Sequence, residues 1–171
     1  MKIHRSLFTV GLIASMALTA TPSAYAKEIT DQDFVTRATI ANKFEIESSQ
    51  IALKKSETSA VRHFAQRVLD DHTKAGNKLE DIIISSGSQI QSEIEMDYKH
   101  KTLLEKLNNA SDREFDAQYL AFQKAAHDES VTLFEDYSKS GENEGLKEFA
   151  SDTLPILNKH LDDAEQLENN R

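Results

Sequence analysis

The sequence predicts an all-α protein: four long helices paired into two antiparallel hairpins, joined by a long crossover with room for a short helix. Three observations carry this. Apolar residues recur three and four apart along four long stretches, the spacing of one helical face. No useful length of chain alternates apolar and polar residues as a half-buried strand would. The first and last breaks between stretches are short, as between antiparallel neighbours, whereas the middle break is long. With 171 residues and no cysteine, the chain is sized for one domain whose stability comes from packing rather than disulfides.

Met1 to Ala26 reads as a secretory signal, leaving residues 27–171 as the domain. Lys2, His4 and Arg5 form a charged start, Leu7 to Leu18 is mostly apolar, and Ala24-Tyr25-Ala26 is a small-x-small cleavage site. The apolar run is short for a bilayer span. The expectation is therefore a periplasmic or secreted protein, cleaved after Ala26, with no integral membrane segment afterwards. Losing Lys2 and Arg5 leaves 18 basic against 29 acidic side chains, and the formal charge moves from −9 to −11. Such a body repels nucleic acid and anionic lipid and attracts cations.

The first helix opens at Thr30, an N-cap with Asp33 three residues on, and Ile29 and Phe34 occupy the staple positions. It runs to about Ser56. Phe34, Ala38, Ala41 and Ala52 centre its apolar arc; Glu45 points into that arc and Glu47 points away. The second helix covers Val61 to Ile83. Val61, Ala65, Val68, Ala75, Leu79 and Ile82 form its stripe, and His72 completes the series. Asp71 is on the flank, and His63 faces water. Glu45 and His72 each lie about 13 or 14 residues from the intervening turn, hence at one depth, about 20 Å along antiparallel helices.

Ile94 to Leu107 could form the short helix of the crossover. Ser111-x-x-Glu114 is a capping box for the third long helix, which buries Phe115, Tyr119, Phe122, Leu133 and Tyr137, with His127 inside the arc. Ser138 to Gly145 is the second turn. The fourth long helix carries Leu146, Phe149, Leu157 and Leu161 inward, and His160 lies among them. Pro155 falls within it and withdraws one backbone donor, an expected kink.

Phe34-Val35, Ala38, Glu45-Ile46-Glu47, Ala52, Phe64-Ala65, Asp71-His72-Thr73, Phe115-Asp116-x-x-Tyr119, His127, Leu154-Pro155 and His160-Leu161 resemble, in that order, the bacterial family of domain of unknown function 4142. The resemblance spans about Asp33 to Leu167. It implies a ferritin-like four-helix bundle in exported bacterial proteins and no established biochemical activity. In such a bundle His127 and His160 come near mid-height, level with Glu45 and His72.

That convergence suggests a metal site made of Glu45, His72, His127 and His160, holding a single Zn, Cu, Fe or Mn ion. Asp71, Asp116 and Tyr119 are the candidate supporting residues, and Glu129 stands at the edge of the arc. A di-iron centre is disfavoured, because Leu69 and Leu157 stand where Glu-x-x-His motifs need glutamate. Two other readings stay open. Glu45 could bond His72, and His127 could bond Asp116 or Tyr119, as a purely structural network. Alternatively the domain is a non-catalytic envelope stress or partner- or small-molecule-binding module. Nothing points to a hydrolase: there is no Gly-x-Ser-x-Gly setting and no thiol. His63 and His100 are expected to be exposed.

Overall fold

Thr30 caps the first helix as its chemistry requires: its hydroxyl accepts from the Asp33 N–H at 3.1 Å, and Ile29 packs against the cluster that holds Phe34. The computed structural model describes residues 29–171 apart from Ser88 and Ser92; the expected signal lies outside the described residues. It contains helices α1 (Asp31–Lys55), α2 (Ser59–Ser85), α3 (Tyr98–Asn109), α4 (Asp112–Ser140) and α5 (Glu144–Asn169), with no strand among the described residues.

The long helices form a bundle of two antiparallel hairpins, α1 with α2 and α4 with α5, packed so that α1 meets α4 and α2 meets α5. At one end the Thr58 hydroxyl donates to Asp116, joining the first turn to the start of α4. At the other end Asn143 N–H donates to Asp31 at 3.4 Å, and the Tyr137 ring stacks on Phe34 with centroids 3.9 Å apart. The two turns therefore sit at opposite ends.

The crossover makes this possible by running the length of α1. Gln91 N–H donates to Gln32 Oε1 at 2.9 Å near its start, and Lys43 Nζ donates to the Ile94 carbonyl midway. Lys55 Nζ donates to the Asn108 and Ala110 carbonyls, both at 2.7 Å, at its end. The last contacts satisfy carbonyls that the end of α3 leaves without helical partners. Met96 and Leu104 bury against Phe44 beneath the crossover.

Three local expectations change. The Ser111 hydroxyl donates to the Glu114 carboxylate at 2.6 Å rather than capping a backbone N–H, so the box is a side-chain pair only. The short helix begins at Tyr98, where Asp97 accepts from His100 N–H at 2.8 Å, four residues later than the apolar pattern suggested. His100 is not free in solvent: its side chain is 12% exposed, bonds Asp97 at 2.7 Å and lies edge-on to the Phe44 ring. Pro155 lies inside α5, as expected, and its position is exposed.

Beside the Phe44 cluster under the crossover, the core has two larger apolar halves. One gathers Phe34, Leu79, Phe134, Tyr137, Phe149 and Leu157; the other gathers Val61, Phe64, Val68, Phe115, Tyr119 and Leu120. Between them the buried side chains are polar: Glu45, Ser48, His72, Gln123, His127 and His160.

The second turn offers a clean test of packing. A Cβ on Gly141 would lie 2.6 Å from Tyr137 Cζ and 2.8 Å from its carbonyl, whereas one on Gly145 meets nothing closer than 3.4 Å. Gly141→Ala should lose about 1–3 kcal/mol in urea unfolding. Gly145→Ala, in the first turn of a helix, should be neutral or gain up to about 1 kcal/mol.

Candidate metal centre

Each helix of the bundle sends polar side chains into the mid-height layer from apolar surroundings. Relative exposure is 1% for Glu45, 7% for His72, and 1% for both His127 and His160. His72, His127 and His160 each offer a ring nitrogen, and these nitrogens all lie within 4.8 Å of one another. No other convergent group of three histidine or carboxylate side chains occurs among the described residues.

The partners of each ring fix its tautomer. A backbone carbonyl can only accept, so His127 Nδ1–H donates to the Gln123 carbonyl at 2.9 Å, and its Nε2 carries a bare lone pair. His160 Nε2 lies 3.1 Å from Asp71 Oδ2. The carboxylate accepts, which leaves Nδ1 bare on a neutral ring. Likewise His72 Nδ1 donates to Asn42 Oδ1 at 3.1 Å, and no protein group satisfies its Nε2. The bare nitrogens of His127 and His160 are 3.3 Å apart. Two lone pairs at that separation repel unless something positive lies between them. Imidazole–metal bonds of about 2.0–2.1 Å would place neighbouring donors about 3.3–3.6 Å apart; the His127–His160 pair matches this, and His72 brings a third nitrogen within 4.8 Å, so the donor set suits a nitrogen-ligated ion.

A proton could occupy the same gap by making His160 an imidazolium between Asp71 and His127. Burial opposes this. It lowers the pKa of His160 against the pull of Asp71, and takes His127 down to about 4, helped by the neighbouring His160. His72 falls well below its ordinary 6.5, through burial first and then His127 and His160. The rings are therefore neutral at pH 7, the form that binds metals.

Glu45 stands beside the three rings, not among the converging nitrogens. Its Oε1 is 3.7 Å from His127 Nδ1, the ring edge turned away from His160. Burial pushes its pKa up to about 8, against the Gln123 side chain, which pulls it down. No donor reaches hydrogen-bonding position on either carboxylate oxygen, and one of the two Gln123 amide N–H groups donates to Ser48 Oγ at 3.1 Å. Glu45 is thus a neutral acid at neutral pH.

Of the expected supporting residues, Asp71 holds His160. Asp116 instead accepts from Thr58, and the Tyr119 hydroxyl pairs with Ser49 at 3.1 Å, so neither hydrogen-bonds His127. Glu129 is exposed and paired with Lys99. The residues that do orient the rings, Asn42 and Gln123, went unread. Gln123 could have been found, since it stands four before His127 and four after Tyr119 on one face of α4. Asn42 has no such signal, but Gly76 marks it: a Cβ there would lie 2.7 Å from Asn42 Nδ2, so the glycine makes space for the amide behind His72.

A helical bundle with a buried imidazole cluster is the class that fold and site define. The chain belongs to the family described as domain of unknown function (DUF4142), whose profile matches residues 16–167. No curated protein matches it. Among solved structures it resembles CopM in the Cu(II)-bound form, with a TM-score of 0.71 and 17% identity over 84% of this chain and 98% of that one. A DUF305 fragment from Deinococcus radiodurans gives 0.72 at 12% identity, covering 84% and 99%. CopM in the Cu(I)-bound form gives 0.68 at 17%, covering 82% and 96%. At these identities the likeness concerns the fold.

The pKa directions give metal-free protein an unusual pH profile. The histidines have folded pKa values below 6.5, so unfolded chain binds more protons as pH falls from about 6.5, and each costs up to about 1.4 kcal/mol per pH unit. Glu45 acts oppositely: its raised pKa stabilises the fold fully below 4.5, and that contribution is lost as pH rises through about 8. Chelator-treated protein should therefore be most stable near pH 6–7 in urea titrations. Glu45→Gln should flatten the decline between about pH 6.5 and 8 while keeping the acid limb.

Proposed function

We propose that this protein is an exported metal-binding bundle that holds one ion through His72, His127 and His160. The observation that carries the reading is the convergence of three neutral imidazoles whose other nitrogens are occupied by Asn42, the Gln123 carbonyl and Asp71. A hydrogen-bonded outer nitrogen is how proteins orient histidine ligands and fix which nitrogen faces the metal.

Copper is the ion the site supports best, with zinc next. An all-imidazole set suits both, and copper binds such donors more tightly. The fold shared with copper-bound CopM favours the same choice, while this chain's own ligands are argued from its own residues. Glu45, beside His127 and able to ionise, would supply negative charge when a cation occupies the rings. The four-ligand set expected from the pattern becomes three imidazoles with Glu45 as their neighbour. The Met1–Ala26 leader supports export to the periplasm. No described helix is long and apolar enough to cross a membrane. Two hairpins with one long crossover support a ferritin-like topology, and Leu69 and Leu157 argue against a di-iron centre within it.

The competing reading, a purely structural cluster, is favoured by one observation: the continuous chain Asp71–His160–His127–Gln123 could hold the helices in register without any ion. Elemental analysis of protein exported natively and purified without chelator separates them. About one copper or zinc per chain is expected. His72→Ala should weaken binding by more than about 100-fold, beyond the loss usual for a supporting residue, whereas exposed His63→Ala should leave it unchanged. Protein that takes up neither ion in titration contradicts the metal reading.

A further inference from the structure

His72 has the largest solvent exposure of the three imidazoles, 7% against 1% for each of the others, and it lines two adjoining spaces. A cavity of about 20 Å³, room for about one water-sized occupant, is lined by His72, Ala75, Thr153 and Leu157 among others. The same four residues line a cleft of about 150 Å³ between α2 and α5, which extends to Lys74, Lys78 and Asp152 at the surface. The outer residues are Lys74, Lys78 and Asp152 with exposed Ile156, and small Ala75 and Thr153, beside Phe149 and Leu157, line both the cleft and the cavity and so form the throat between them. Asp71 ties the cleft to the imidazole cluster: it lines the cleft, and its Oδ2 holds His160. Lys78 and Asp152 pair across the mouth at 2.9 Å, with both side chains about half exposed. Exposed pairs of this kind are weak and open readily. The comparable cleft on the opposite side, between α1, α3 and α4, has its own Lys99–Glu129 pair, but none of the three clustered imidazoles lines it.

We propose that the α2/α5 cleft is the loading path of the metal site, in which Lys78 masks Asp152 at the mouth and Ala75 leaves the throat open to His72. This rests on the metal reading above. A cation drawn by the acidic surface would meet Asp152 and Asp71 before the imidazole nitrogens, so carboxylates come first and stronger nitrogen donors last. Opening requires that Lys78 swing away from Asp152 and that Lys74, 3.4 Å from Asp71 Oδ1 and well exposed, do the same at Asp71. The helices need not separate. Local charge at this mouth should then govern the rate of loading, and steric room at Ala75 should govern both loading and release.

The test is stopped-flow loading of chelator-stripped full-length protein with Cu(II), and separately Zn(II), at low and high salt, with release into excess chelator measured alongside. Ala75→Leu should slow loading and release together by at least about tenfold, with the stoichiometry and affinity kept. Ala126→Leu in the opposite cleft should change neither. Lys78→Glu, a surface change not expected to disturb folding, should speed loading about 3- to 10-fold at low salt, and the gain should shrink as salt screens it. Lys99→Glu alters net charge equally and should have no such effect. The proposal is overturned if Ala75→Leu loads one ion at the wild-type rate, or if Lys99→Glu accelerates loading as much as Lys78→Glu. Wild-type protein that binds neither ion overturns the metal reading itself, and the path with it.

Discussion

Polar side chains placed at the buried centre of a bundle must share too few protons, and the rest of this structure follows from how they do so. An imidazole has one donor and one acceptor when neutral. Here the donor of each ring is spent outward, on Asn42, on the Gln123 carbonyl and on Asp71. The acceptors are left facing inward. Burial prevents the obvious remedy of protonating a ring, because an imidazolium in this layer would lose its hydration without a full set of partners. A protein that only needed packing at mid-height would have found leucine cheaper. The layer divides the apolar core into two halves, and each half supplies the rigidity that keeps the rings from turning away from one another.

The crossover serves that arrangement. By running along α1 it lets α4 travel parallel to α2 and brings one imidazole from α2, one from α4 and one from α5 to the same level. Its anchors, Gln32, Lys43 and Lys55, are spread along α1 and bond mainly to backbone carbonyls of the crossover. They fix its course without requiring particular side chains in it. The short loops contribute differently: Gly141 is needed for space beneath Tyr137 and not for backbone conformation, since its φ is −61°.

Much of this was legible in the order of residues. His72 interrupts an apolar stripe, and Glu45 lies at the same distance from the turn, so depth along two antiparallel helices could be counted before any coordinates. His127 and His160 followed from the same counting on the other hairpin. The pattern could not say which edge of a ring faces which neighbour. Helical periodicity fixes a direction to within tens of degrees, whereas Glu45 beside His127 differs from Glu45 among the ligands by a few ångströms. Asp116 and Tyr119 failed for a related reason: they share a face with His127, but the rise along α4 carries Asp116 to Thr58 at the end of the bundle and Tyr119 to Ser49, about one turn beyond Glu45 on α1. Asn42 could not be read at all, because its role depends on the close approach of Gly76 from another helix. His100 looked like an exposed residue until the crossover folded it onto Phe44.

The central claim concerns where three protons sit, and nitrogen-15 NMR of the histidine side chains in metal-free protein at pH 7 reports on that directly. The account predicts neutral rings throughout this cluster, with His72 and His127 carrying the proton on Nδ1 and His160 on Nε2. Added copper(I) or zinc should then perturb the three bare nitrogens selectively. A His160 ring protonated on both nitrogens at that pH, unaffected by either ion, would contradict it and leave a hydrogen-bonded spacer in place of a metal centre.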